Sequence, residues 1–148
     1  MRISRLNNLI LVALSMAVCS TVAAAAPGSL RSDGLYYRHE TGESSDLTAY
    51  LRFYPDGRVI YVVCDGPPAK IAKWFYWGYV PKPGLDLAQG RYSIQGSRIR
   101  FSTRATQEPR IDFSGEVRQN SLLLRTFSHY NGRRAKVGFS FTPVRFLR

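Results

Sequence analysis

The chain has 148 residues, is 45% hydrophobic and 13% aromatic, and carries a formal charge of +11. That length fits one domain with a modest core. Two cysteines, Cys19 and Cys64, exclude a disulfide-rich scaffold.

Met1 to Asn8 contains Arg2 and Arg5 and no acid, and an apolar and small-residue run follows from Leu9 to Ala26, ending before Pro27. A basic head, a short apolar core and an alanine-rich exit are the parts of a secretory signal peptide. The core from Leu9 to Val18 is short for a membrane span, which needs about 20 apolar residues. The expected organisation is a signal peptide over 1–25 and a single β-barrel domain over 26–148, exported to the periplasm or beyond and not membrane-spanning after cleavage. Cys19 raises a lipoprotein alternative, against which Val18 is bulky for a lipobox. Loss of Arg2 and Arg5 lowers the charge from +11 by two, to +9. The basic residues are spread across the strands, which reads first as solubility and second as attraction to anionic surfaces. Cys64 then stands alone, so the mature chain is expected to be a monomer without disulfides, its thiol a small buried hydrophobe or, alternatively, an interchain link.

Short alternating segments separated by turn residues follow: Gly34–His39, Thr48–Tyr54, Arg58–Cys64, Arg91–Gln95, Arg98–Thr103, Ile111–Val117, Ser121–His129 and Ala135–Thr142. Tyr54-Pro55-Asp56-Gly57 is the strongest local signal. Proline presets the first turn dihedral and glycine accepts the left-handed one. Gly96-Ser97, Arg118-Gln119-Asn120 and Asn131-Gly132 supply the later hairpin turns. Between the third and fourth strands, Pro68 to Trp77 reads as a short helix with prolines in its first turn, Ile71, Trp74 and Phe75 on one face, and Lys70, Lys73 and Trp77 on another.

Alternation assigns the faces. Arg52 belongs outside, so Leu51 and Phe53 point in, and across the turn Val59, Tyr61 and Val63 join them. Tyr92, Ile94, Ile99, Phe101, Ile111, Phe113, Leu122, Leu124, Val137, Phe139 and Phe141 follow, with Arg98, Arg100, Arg110, Asp112, Glu116, Arg125 and Lys136 outside. The expected fold is all-β: an eight-stranded antiparallel up-and-down barrel with one short helix between strands 3 and 4. An outer-membrane barrel would reverse the faces, but its strands need about 9–11 residues.

Catalytic and metal chemistry find little support. His39 and His129 are the two histidines, no nucleophile, base and orienter are ordered into a triad, and the acidic loop Glu43 to Asp46 matches no calcium-loop spacing. No catalytic residue, metal ligand or cofactor is assigned. Arg98, Arg100, Arg104 and Arg110 resemble an electrostatic groove, but an exported protein meets little nucleic acid, and none is expected as partner.

The runs Tyr50-Leu51-Arg52-Phe53-Tyr54-Pro55-Asp56-Gly57-Arg58-Val59, Gly90-Arg91-Tyr92-Ser93-Ile94 and Ile99-Arg100-Phe101 resemble small exported lipocalin-like β-barrel proteins of uncharacterised function, and more weakly the barrel-like C-terminal region of certain F-box proteins. The resemblance implies the fold and assigns no site residue. It departs from true lipocalins at Gly34-Leu35-Tyr36, where they carry glycine-x-tryptophan.

The resulting expectation is a binding protein for a small apolar or amphipathic ligand. Trp74, Phe75, Trp77, Tyr61, Tyr92, Lys70 and Lys73 form its candidate contact set, and the helix gates or floors the cavity. The alternative is a protein-binding module, an inhibitor or envelope interaction protein, with a filled barrel. A lined space of several hundred cubic ångströms favours the first and a packed interior the second.

Overall fold

The computed structural model describes residues 28–40, 46–75 and 87–145. The expected signal peptide with Cys19, and Tyr76 and Trp77 of the expected helix, lie outside them.

The elements are β1 (Gly34–His39), β2 (Thr48–Phe53), β3 (Arg58–Cys64), α1 (Pro68–Ile71) continued by a 3-10 turn over Ala72–Trp74, β4 (Ala88–Gln95), β5 (Arg98–Arg104), β6 (Ile111–Arg118), β7 (Ser121–Ser128) and β8 (Arg134–Pro143). Each strand pairs antiparallel with the next and β8 returns to β1, giving a closed eight-stranded barrel. Closure leaves no edge strand to template aggregation. In the β2–β3 turn, Gly57 takes φ 86° and its N–H donates to the Tyr54 carbonyl at 3.1 Å. The Tyr92 N–H donates to the Gly57 carbonyl at 2.9 Å, so the same turn helps to hold β4.

The inward positions form one apolar cluster containing Leu51, Phe53, Val59, Ile99, Phe101, Phe113, Leu122, Leu124 and Phe139. Its rings are in mutual contact along the barrel. Tyr36 meets Phe141 at 5.0 Å and Phe53 at 5.7 Å, Phe53 meets Phe101 at 5.3 Å, Phe101 stacks on Phe113 at 4.5 Å, and Phe113 meets Tyr61 at 5.5 Å. Edge-to-face and stacked pairs of this kind each add about 0.5–1.5 kcal/mol beyond their burial.

A second apolar cluster lies on the outer face of β1–β3. Leu35, Tyr50, Ile60 and Val62 are covered there by Ile71, Phe75 and Leu87. The third strand is apolar on both faces, and the helical segment covers its outer one. This segment is shorter than the expected Pro68–Trp77. It is four α residues and a 3-10 turn, with no side-chain cap, and Phe75 leaves helical geometry at ψ 27°. So short a helix is stabilised by packing rather than by propensity.

Three side chains depart from the expected environment. Val63 and Ile94 have the inward parity but are 38% and 40% exposed. The β3–β4 ladder runs from Arg58↔Arg91 to Tyr61↔Ala88, so Val63 and Ile94 lie beyond the two ends of that described ladder, each paired on its other side only, with Ala49 and Ile99 respectively. Arg52 is on the outer face as expected, yet only 5% exposed. Its guanidinium lies 4.5 Å from the centre of the Tyr54 ring, and burial pushes its pKa down.

Candidate functional site: a cup at the open end of the barrel

The two ends of the barrel differ. One carries the tight β2–β3, β4–β5 and β6–β7 turns and is crossed by the segment before β1. There Leu30 packs against the interior cluster, the Arg31 N–H donates to the Tyr36 hydroxyl at 3.0 Å, and the Arg31 guanidinium sits 4.1 Å from the Phe141 ring centre. At the other end β1 passes to β2, β3 to β4, β5 to β6 and β7 to β8.

At that second end the aromatic filling stops short. A cavity of about 170 Å³ remains, with Tyr61, Phe113, Val137 and Phe139 among its apolar walls and Arg38, Glu40, Asn131 and Arg133 at its polar rim. Arg38 and Glu40 follow Tyr36 at two-residue intervals on β1 and just beyond it, so they share its inward direction. They form an ion pair with each other. Arg133 is held in the β7–β8 turn, its N–H donating to the Asn131 side chain at 3.0 Å. Tyr61 brings a hydroxyl to this space. Burial, reinforced by the charge of Glu40, pushes its pKa up to about 12, so it stays protonated throughout the neutral range. One strand across from Ile111, the buried Thr103 hydroxyl makes no hydrogen bond among the described residues.

Among the described residues, the expected contact residues lie in different places. Tyr61 lines the cup. Tyr92 is inside but nearer the closed end, where its hydroxyl donates to the Tyr54 carbonyl at 2.8 Å and its ring meets Phe53 edge-on at 5.2 Å. Trp74 and Phe75 belong to the outer cluster, with the barrel wall between them and the interior, and Phe75 is fully buried against Tyr50. Lys70 and Lys73 face solvent. Trp77 is outside the described residues. The described part of the helix is therefore placed as an outer cover of β2 and β3, not across the mouth of the cup.

Arg38, Glu40, Asn131 and Arg133 were not singled out by sequence reasoning, because an arginine on a strand reads as an outward residue. The available signal was the alternation itself. Tyr36, Arg38 and Glu40 share a parity, and the acid two residues from the arginine supplies a partner for a charge turned inward.

A polar cluster also lies on the outer face. Asp112 accepts from the Ser102 hydroxyl at 2.7 Å and sits 2.7 Å from His129 Nε2 and 2.9 Å from Arg110. These contacts hold its pKa below the usual carboxylate value. The aspartate stands between serine and imidazole, so in this arrangement the ring is not placed to take the hydroxyl proton. Cys64 is half-buried and free, with its thiol pKa raised by burial.

No protein-family model matches the chain, and no curated protein or solved structure is significantly similar to it.

Proposed function

We propose that this protein binds a small amphipathic molecule, with its apolar body in the cup and its polar head at the Arg38–Glu40–Arg133 rim. The observation that carries this reading is the division of the cavity into an aromatic floor and a charged rim, at an end that the aromatic filling of the described residues leaves open. Arg38 is paired with Glu40, whereas the Arg133 guanidinium is in no ion pair among the described residues, which favours an anionic head. Size narrows the ligand class. The cavity volume of about 170 Å³ lies below the common ligand-site range of about 300–1,000 Å³. It suits a medium-chain or monocyclic carboxylate, whereas retinoids, haem and long-chain lipids are too large for it.

Calorimetric titration with octanoate, phenylacetate and retinoic acid tests the reading. The two small acids bind the wild type and retinoic acid does not. Ala135→Phe, which fills the cup from its half-exposed wall, removes binding while the protein still melts cooperatively. Undiminished binding in that variant places the ligand elsewhere.

The aromatic packing of the closed half favours a second reading, in which the barrel is a scaffold for contact with another protein. Absence of binding by both small acids at millimolar concentration, with the wild type folded, moves that reading to first place.

A further inference from the structure

A row of like charges crosses the outer wall on the opposite half of the sheet from the helix. The register aligns Arg100 with Ser114, Ser114 with Arg125, and Arg125 with Lys136, so three cations and a hydroxyl lie in one line across β5 to β8. They line a trough of about 490 Å³ whose acid, Glu116, is 3.9 Å from Arg118. Gly138, the register partner of Leu123 beside this row, presents no side chain, and a Cβ there would meet nothing within 4 Å, which keeps that part of the surface open.

Two observations bear on the role of this row. Arg31, Arg38, Arg58 and Arg110 each pair with an acid two residues away. Arg100, Arg125 and Lys136 make no ion pair among the described residues. Moreover, Arg125 and Lys136 are directly opposed on neighbouring strands, an arrangement that destabilises a sheet unless an anion relieves it.

We infer that this trough binds an acidic polysaccharide, the anionic groups of one glycan chain lying along Arg100, Arg125 and Lys136 and its hydroxyls meeting Ser114. Charge complementarity selects a polyanion. Strand spacing of about 4.8 Å places successive cationic positions at intervals that a flexible chain of charged sugars can follow. The lining holds no aromatic ring on which nucleobases would stack. The exposed large apolar side chains among the described residues, Val63, Ile94 and Tyr130, all lie outside it, so these residues offer no anchor for a bilayer there. The inference is independent of the cup.

Fluorescence anisotropy with a labelled heparin octasaccharide provides the test. The triple variant Arg100→Ser/Arg125→Ser/Lys136→Ser weakens binding about tenfold or more and lowers the slope of log affinity against log salt by about two to three. A control with the same charge loss elsewhere, Lys70→Ser/Lys73→Ser/Arg145→Ser, changes affinity by less than about twofold. The row variant melts no lower than the wild type, because the opposed charges are gone. If it nevertheless fails to fold, the single variants Arg100→Ser and Lys136→Ser each lose about two- to threefold. Equal losses in row and control variants overturn the inference. So does tighter binding of duplex DNA, or of phosphatidylglycerol vesicles, than of the octasaccharide at the same salt.

Discussion

Phe101 on β5 and Phe113 on β6 are register partners whose rings stack with centroids 4.5 Å apart and planes 9° from parallel. Phe113 is also a wall of the cup, so this stack joins the filled part of the interior to the open part. Phe101→Ala and Phe113→Ala are each expected to destabilise the barrel by about 3–5 kcal/mol. The double variant loses about 0.5–1.5 kcal/mol less than the two losses added, because the stack is removed only once. Arg100→Ala, next to Phe101 but outward, stays within about 0.5 kcal/mol. Urea unfolding of the four variants checks all three statements, and a larger loss at Arg100 than at Phe101 reverses inside and outside.

The outer cluster makes a separate demand on stability. Phe75 is fully buried against Tyr50 under the short helix. Phe75→Ala is expected to cost about 3–5 kcal/mol in thermal or urea unfolding, with octanoate affinity of the folded fraction unchanged. A selective loss of affinity at constant stability instead returns the helix to the ligand site.

Alkaline stability reports on Tyr61. Its folded pKa is raised, so its contribution is fully present below the unfolded tyrosine pKa of about 10 and is lost as pH rises through about 12. Tyr61→Phe therefore makes the fall in stability between about pH 10 and pH 12 shallower. An unchanged alkaline limb shows that this hydroxyl is solvated in the folded protein.

Asp112 acts at the other end of the pH scale. Hydrogen bonds from His129 and Ser102 lower its folded pKa, so its contribution is present above the unfolded carboxylate pKa of about 3.9 and disappears as pH falls through the folded value. Its side chain is 35% exposed, and solvent screening holds the effect to about 0.5 kcal/mol. Asp112→Asn flattens the acid limb of the stability profile below about pH 4, read by urea midpoints. A steeper acid limb contradicts the assigned contacts.

Much of this barrel is legible in period-two alternation and turn chemistry. β1 and β3 have the boundaries expected from sequence, and the Tyr54–Gly57 turn is in place. The inward row from Leu51 to Phe139 follows because one polar residue fixes the face of a whole strand. The departures arise where that logic has no information. Val63 and Ile94 obey the alternation, but exposure there depends on where the neighbouring strand stops, which the register decides. Arg52 has the right face, yet that face is covered, and a strand's own pattern does not reveal its cover. Tyr61 was legible as an interior tyrosine. Its neighbours in the cup were not, because Arg38 and Arg133 line one cavity from segments far apart in sequence. Trp74, Phe75 and Trp77 drew attention to the helix, where Phe75 serves packing.

Methyl nuclear magnetic resonance during an octanoate titration tests the cup most directly, because the inner and outer clusters carry separate probes. Ile111 and Val137 line the cup, while Ile60, Val62 and Ile71 belong to the outer cluster on the far side of the wall. The predicted result is saturable movement of the Ile111 and Val137 methyl signals with the Ile60, Val62 and Ile71 signals stationary. Movement confined to Ile60, Val62 and Ile71, or no saturable movement at any of the five, contradicts a ligand site inside the barrel.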